Sequence, residues 1–249
     1  MRAVTCVPCL VAAITVAALS PAVVRAEALP TDELDGFLEP FEVVKVASQV
    51  PGVIDDVLVR RGDTVSKGQP IARLKSGVER VAVDLAKARV QFGERKRERN
   101  RDLVKRQLIS AHEMDELETD IQLARLQLRE ATEKLELRTI VSPIDGVVSK
   151  RSRAAGEYVG EDEIVTVACV DPLNVEVTVP GVRFGTIAKG TRAEVRPEAP
   201  VGGTYTATVV IVDSVIDAAS GTFGVRLELP NPGRKVPAGL KCRVRFPGK

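Results

Sequence analysis

The chain has 249 residues, a formal net charge of +2, 3% aromatic residues and no Trp. So even a charge balance gathers no nucleic acid, and so few rings remove the stacking platforms of single-strand binders. One His (His112) and one internal Met (Met114) exclude a transition-metal carrier built from imidazole or soft sulfur ligands.

The first segment, residues 1–26, holds an apolar stretch from Cys9 to Val24 followed by Val24-Arg25-Ala26. About 15 apolar residues fall short of the ~20 needed to cross a bilayer, so the stretch reads as a signal peptide cleaved near Ala26. Cleavage removes Cys6 and Cys9 and leaves Cys169 and Cys242, each on an apolar strand face. Both read as small buried hydrophobes, and a disulfide between them stays open. The mature chain is long enough for two modest domains but not for a large enzyme core.

Residues 27–44 read as an extended N-terminal segment. Residues 45–77 then show strand alternation and two tight turns, the outline of half a small sandwich. Its other half stands at residues 138–171. Gly52-Val53-Ile54 matches Gly146-Val147-Val148, and Arg61-Gly62-Asp63-Thr64-Val65 matches Ala155-Gly156-Glu157-Tyr158-Val159. The closing strands, Ile71 to Leu74 and Ile164 to Val167, correspond as well. Gly62 and Gly156 stand where a turn needs positive φ, and the acid after each can accept from the turn backbone. Two such copies predict a pseudo-symmetric sandwich in which each half covers the other's open edge.

Between the halves, residues 78–137 contain one Gly, no Pro and much Ala, Leu, Glu, Lys and Arg. Met114, Leu117, Ile121, Ala124, Leu128, Ala131 and Leu135 alternate spacings of three and four, a coiled-coil seam. Val78, Val81, Leu85, Ala88 and Phe92 follow the same rule upstream, and Arg99 and Leu103 extend that stripe. Ser110 with Glu113 forms a capping box, so a second helix starts there. Basic residues crowd the end of the first helix (Arg95, Lys96, Arg97, Arg99, Arg101, Lys105, Arg106). Acidic residues crowd the start of the second (Glu113, Asp115, Glu116, Glu118, Asp120), and folding back at Ser110 sets the two runs face to face. The expectation is an antiparallel hairpin roughly 45 Å long.

Residues 172–249 keep a period of two, as in Leu173, Val175, Val177 and Val179, with turns at Gly190, Gly202-Gly203, Gly221 and Gly239. They read as a small antiparallel β-barrel. No phosphate loop, nucleophile elbow or His–carboxylate set occurs, so neither catalysis nor a bound cofactor or metal is expected.

The paired half-sandwiches resemble the biotinyl/lipoyl fold. Carriers of that type bear a modified lysine at the junction of the halves. Here Leu74-Lys75-Ser76-Gly77 lacks the flanking Met residues, so Lys75 reads as a solvated turn residue. The full plan resembles the periplasmic adaptors, also called membrane fusion or HlyD-type proteins, of tripartite efflux pumps. The resemblance implies an α+β, mostly β chain: a split lipoyl-like sandwich, an inserted antiparallel coiled-coil hairpin, then a barrel. It also implies an inner-membrane transporter as partner, of the resistance-nodulation-division (RND) type before the ABC type. A TolC-like outer-membrane channel and ring-wise self-association complete the implied assembly. In channel-docking adaptors an Arg, a Leu four residues on and a Ser seven further stand at the hairpin tip. Arg99, Leu103 and Ser110 match that spacing and are the implied channel-binding residues. The alternatives are a biotin- or lipoate-carrying enzyme subunit and an adaptor of an ABC-type exporter. The family often adds a membrane-proximal domain made from both chain ends, for which only Glu27 to Pro40 is spare here.

Overall fold

A computed structural model of the chain describes Ala3 and residues 33–106 and 110–247. The expected signal peptide and its cleavage site lie outside the described residues. Two halves make up the sandwich. The first is the end of β1 (Glu33–Ala47), β2 (Gly52–Val57), β3 (Thr64–Val65) and β4 (Pro70–Leu74). The second is β5 (Thr139–Val141), β6 (Gly146–Arg151), β7 (Tyr158–Val159) and the start of β8 (Glu163–Pro180).

One sheet runs β1-β8-β6-β3 and the other β5-β4-β2-β7. Exchanging each strand of the first half for its counterpart turns one order into the other. The hydrogen bonds repeat this symmetry. The Gly62 N–H donates to the Val148 carbonyl at 2.8 Å, and the Gly156 N–H to the Ile54 carbonyl at 2.9 Å. The Asp63 carboxylate accepts from the Arg60 N–H at 2.7 Å, and the Glu157 carboxylate from the Ala154 N–H at 3.2 Å. Both glycines hold φ near +90° (+94° and +88°), a region that disfavours a side chain. Between the sheets, Ile54, Val65, Ile71 and Leu74 meet their counterparts Val148, Val159, Ile164 and Val167, all 1% exposed or less. Each half alone would leave this apolar face in water.

The barrel takes β9 (Arg192–Pro197), β10 (Tyr205–Val212), β11 (Thr222–Leu229) and β12 (Lys241–Arg245) in order β12-β9-β10-β11. It is closed by two long strands that also serve the sandwich. β8 continues from the sandwich into the barrel beside β11, and the first half of β1 lies between β12 and β8. The sixth barrel strand therefore lies outside residues 172–249, and Glu33 to Pro40, expected to be spare, are built into the wall. Leu38 of this strand is fully buried in the barrel core with Val175, Val195, Val225 and Val244.

The pairing of the two through-strands shifts register at the domain boundary, between Pro40 and Glu42, where polar side chains close the backbone. Asn174 donates to the Phe41 carbonyl at 3.2 Å beside the β1 register shift. Asn231, 2% exposed, donates to the carbonyls of Val170 and Val236 and accepts from the Val236 N–H. A buried amide with its capacity filled in this way fixes the junction.

Cys169 and Cys242, the two cysteines among the described residues, are free. Gly36 of β1 pairs with Cys242, and Glu42 of the same strand pairs with Cys169. Six residues of strand separate these positions by about 20 Å, beyond the reach of a disulfide. Cys242 is buried, and that burial, with Glu198 and Asp35 nearby, pushes its thiol up to about 12. Cys169 is only half-buried.

Candidate functional site

The inserted rod consists of α1 (Gly77–Lys105, 29 residues) and α2 (Ala111–Glu136, 26 residues), packed as an antiparallel pair. At 1.5 Å per residue each helix is about 40 Å long. The helices leave the sandwich directly after β4 and return directly into β5. The turn that carrier domains use for a modified lysine is thus replaced by the rod. Lys75 sits exposed at the rod's root, its N–H donating to the Val53 carbonyl at 2.9 Å.

The root is held by one largely buried ion pair. Arg138, just past α2, bonds Glu79 in the first turn of α1 at 2.7 Å, with side chains 22% and 19% exposed. Its Nη1 also donates to the Pro51 carbonyl at 2.9 Å. A Cβ on Gly52, the first residue of β2, would lie 2.7 Å from that nitrogen, so a side chain there would displace the guanidinium from this position. Arg138 ties both helices and the sandwich corner together. The spacing patterns that located the helices gave no signal for it, because a single Arg after a helix looks like any solvated C-terminal charge.

The α2 seam lies where its spacing puts it. Leu117 and Ile121 are buried, and Met114, Ala124, Leu128, Ala131 and Leu135 are half-buried. The α1 seam does not. Val78, Val81, Leu85 and Phe92 are 81%, 67%, 64% and 59% exposed. The face that meets α2 is instead Glu79, Val83, Ala86, Val90, Gly93 and Arg97, which are buried or half-buried. Size explains the choice. A Cβ on Gly93 would lie only 2.8 Å from Ile121 Cγ1, so the backbones approach closely at this level and small residues must face inward. Counting large apolar residues favours the opposite side of the same helix.

The charge runs near the break also behave differently from expectation. Antiparallel pairing holds, but the described polar contacts near the tip run along each helix: Arg101–Glu98 at 3.6 Å, Lys105–Asp102 at 3.5 Å, and His112 Nε2 3.3 Å from the Glu116 carboxylate. Cross-hairpin polar contacts lie lower down, with Arg125 on Glu94 at 2.7 Å and Arg89 on Gln127 at 3.1 Å.

At the far end, Arg99 is exposed and Leu103 is 37% exposed on the next turn of the same α1 face. Ser110 lies across the break, beyond residues 107–109, which are not described. It is the N-cap of α2: its hydroxyl accepts from the Glu113 N–H at 3.2 Å, and the Glu113 carboxylate accepts from the Ser110 N–H at 2.9 Å. Ser110 therefore has a structural duty in starting α2. Among the described residues no group of His, Cys, Asp and Glu is placed to hold a metal ion. No described helix is long and apolar enough to cross a membrane.

Comparison with known proteins gives a consistent set. Residues 42–169 match the model of the CzcB-like barrel-sandwich hybrid domain, and residues 172–249 that of the CusB-like beta-barrel domain. The multidrug resistance protein MdtE of Escherichia coli K12 is 28% identical over 242 residues, covering 84% of this chain and 62% of MdtE. The antibiotic efflux pump periplasmic linker protein ArpA of Pseudomonas putida is 24% identical over 235 residues, covering 87% and 62%. A MacA–MexA chimera carrying the Pseudomonas aeruginosa MexA α-hairpin domain shares the fold, with TM-score 0.73 and 20% identity over 86% of this chain and 77% of the chimera. The chain spans about three fifths of the length of these curated relatives.

Proposed function

This chain belongs to the membrane fusion family of periplasmic adaptors, and from that premise we propose that it joins an inner-membrane transporter to a TolC-like outer-membrane channel for efflux of small molecules. The transporter is of the RND type rather than the ABC type, a reading supported by the multidrug and antibiotic efflux names of the relatives. The protein works in the periplasm after cleavage near Ala26, held at the inner membrane through its transporter. It carries out no catalysis.

The observation that carries the proposal is the rod itself. Two helices of 29 and 26 residues project from between the halves of a sandwich. A sandwich of this kind buries its core without them. A projection that adds little core is useful only if its far end, or its sides, meet something else. The function is mechanical: copies gather around an axis, the rods form the wall of a conduit, and the tips meet the channel.

Arg99 and Leu103 are the docking residues at the tip, with Ser110 shaping the start of α2 beside them. An exposed guanidinium can form forked, charge-assisted bonds to carboxylates or carbonyls on a channel rim, which a lysine matches less well. Leu103 supplies the adjoining apolar contact. The test is complementation of a deletion strain with Arg99→Asp. Efflux should be lost while the periplasmic level and melting temperature stay near wild type, since Arg99 makes no buried contact. Normal export by that strain would remove the tip assignment.

A further inference from the structure

The internal repeat of the sandwich allows one of its surfaces to be compared with its own twin. On one side the β2–β3 turn, with Arg60 and Arg61, lies against the edge of β6. There Ser149, Lys150 and Arg151 run on past the bonds that join β6 to that turn at Val148. These five exposed residues border a groove of about 520 Å³. On the related side the β6–β7 turn, with Ala154 and Ala155, lies against Asp55, Asp56 and Val57 of β2.

The two sides share one backbone plan. The Val148 N–H donates to the Asp63 carbonyl at 2.9 Å, and the Ile54 N–H to the Glu157 carbonyl at 2.8 Å. Register shifts at the same step in both strands, between Val148 and Lys150 and between Ile54 and Asp56. The side chains differ completely. Arg60, Arg61, Lys150 and Arg151 bring four positive charges to one side, whereas Ala154, Ala155, Asp55, Asp56 and Val57 bring two negative charges to the other. The fold therefore builds this corner without cations. We propose that Arg60, Arg61, Lys150 and Arg151 form a cradle for a phosphate-bearing anion on the sandwich.

The cations are free to take a ligand. Among the described residues, no carboxylate lies within ion-pair distance of Arg60, Arg61 or Arg151. Lys150 reaches only Glu163, at 3.8 Å, and that carboxylate already accepts from Thr166 and Ser152. By contrast Arg153, beside the related turn, is bonded to Glu157 at 3.5 Å and Asp162 at 3.2 Å. Asp63 is the other acid near the groove, and it accepts from the Arg60 N–H at 2.7 Å. Counting Asp63 and Glu163 in full, two positive charges remain uncompensated.

The number and kind of donors select phosphate. One carboxylate satisfies one guanidinium, whereas three guanidinium forks and an ammonium around a single groove suit a group with several acceptor oxygens and more than one charge. The Ser149 hydroxyl is already committed, donating to the Thr166 carbonyl at 3.2 Å, so recognition rests on the cations. An acidic peptide added as a strand would need a longer free edge than three residues of β6. The site uses no residue of the rod and does not depend on the adaptor reading.

The test is equilibrium dialysis of the purified full chain against radiolabelled pyrophosphate at low ionic strength. The expected result is one pyrophosphate bound per chain and released by salt. Arg60→Ala with Arg61→Ala installs the residues found at the related turn, so the melting curve should not move while binding weakens by about tenfold or more. Arg151→Val, again the related residue, should weaken it further. Arg192→Ala with Arg245→Ala removes two exposed cations from the barrel and should leave binding as it is. Displacement by phosphatidylcholine vesicles containing cardiolipin, but not by phosphatidylcholine alone, would put the phosphate on a lipid headgroup. Displacement by soluble phosphate alone would make the ligand a free solute. No bound pyrophosphate, undiminished binding in the turn variants, or an equal loss in the barrel variant would each overturn the cradle. Altered sedimentation of the turn variant with no phosphate binding by wild type would also overturn it, by giving the cations to a contact between copies.

Discussion

Gly93→Ala gives the sharpest test of how closely the two helices pack. In an exposed helix interior the change gains about 1 kcal/mol from backbone entropy. Here the new methyl would lie 2.8 Å from Ile121 Cγ1, well inside contact distance. Ile121 is 2% exposed and β-branched on a helix, where χ1 has essentially one well, so it cannot swing aside. Overpacking of this kind typically opposes by about 1–3 kcal/mol, so the substitution should destabilise by about 1 kcal/mol net. In an Ile121→Ala background the obstruction is gone. That variant alone should lose about 2–5 kcal/mol to the cavity, and Gly93→Ala added to it should regain about 1 kcal/mol or more by restoring propensity and filling space. The same substitution thus reverses sign between two backgrounds. Thermal melts of the full chain followed by far-ultraviolet circular dichroism would read each step as a shift of about 2–4 °C per kcal/mol. If Gly93→Ala raises the melting temperature in both backgrounds, the helices do not meet at Gly93 and the inner seam is misplaced.

Four further outcomes follow from the same contacts. Leu128→Asp puts a charge in the α2 seam and should melt the rod; survival of helical signal and melting temperature would refute the α2 register. Glu79→Ala strands Arg138 in a largely buried site and should cost about 3 kcal/mol, seen as loss of root rigidity and stability; a melt unchanged from wild type would show the pair to be solvated. Glu163 accepts from Thr166 at 2.6 Å and Ser152 at 2.7 Å, which holds its carboxyl below the ordinary 4.5. A depressed carboxyl stabilises above the unfolded pKa and loses that contribution as pH falls through the folded one. Glu163→Gln should therefore be less stable than wild type near neutrality, with the gap closing below pH 4.5 in urea titrations; a gap that is constant with pH would refute the assignment. Finally, the raised Cys242 thiol should resist alkylation in the folded chain at mildly alkaline pH while Cys169 reacts first; equal labelling rates would contradict the burial of Cys242.

Some of this structure was legible in the residues and some was not, for physical reasons. The sandwich was readable because its symmetry is enforced at turns, where Gly62 and Gly156 need the same backbone and Asp63 and Glu157 make the same bond. The α2 start was readable because a capping box is local. The α1 register was not. Apolar spacing marks a face that avoids water without saying whether the partner is the same chain, and the inward face was chosen by a glycine and an alanine that hydropathy counts overlook. The barrel strand at Glu33–Pro40 was missed because its partner on β12 stands some two hundred residues later, and long-range pairing leaves no local mark. The proposal for Arg99 and Leu103 rests on a resemblance alone, since nothing in their own spacing separates a docking pair from a solvated helix end.

The central claim is that the rod's far end meets an outer-membrane channel while the body is held by an inner-membrane transporter. The most direct measurement places a photo-activatable side chain at Leu103 in an affinity-tagged full chain, irradiates living cells, and identifies the adduct after solubilising both membranes. The account predicts a covalent adduct with a TolC-like channel, copurification of an RND-type transporter, and loss of the adduct with Arg99→Asp. Adducts confined to soluble proteins, with neither membrane component recovered, would contradict it.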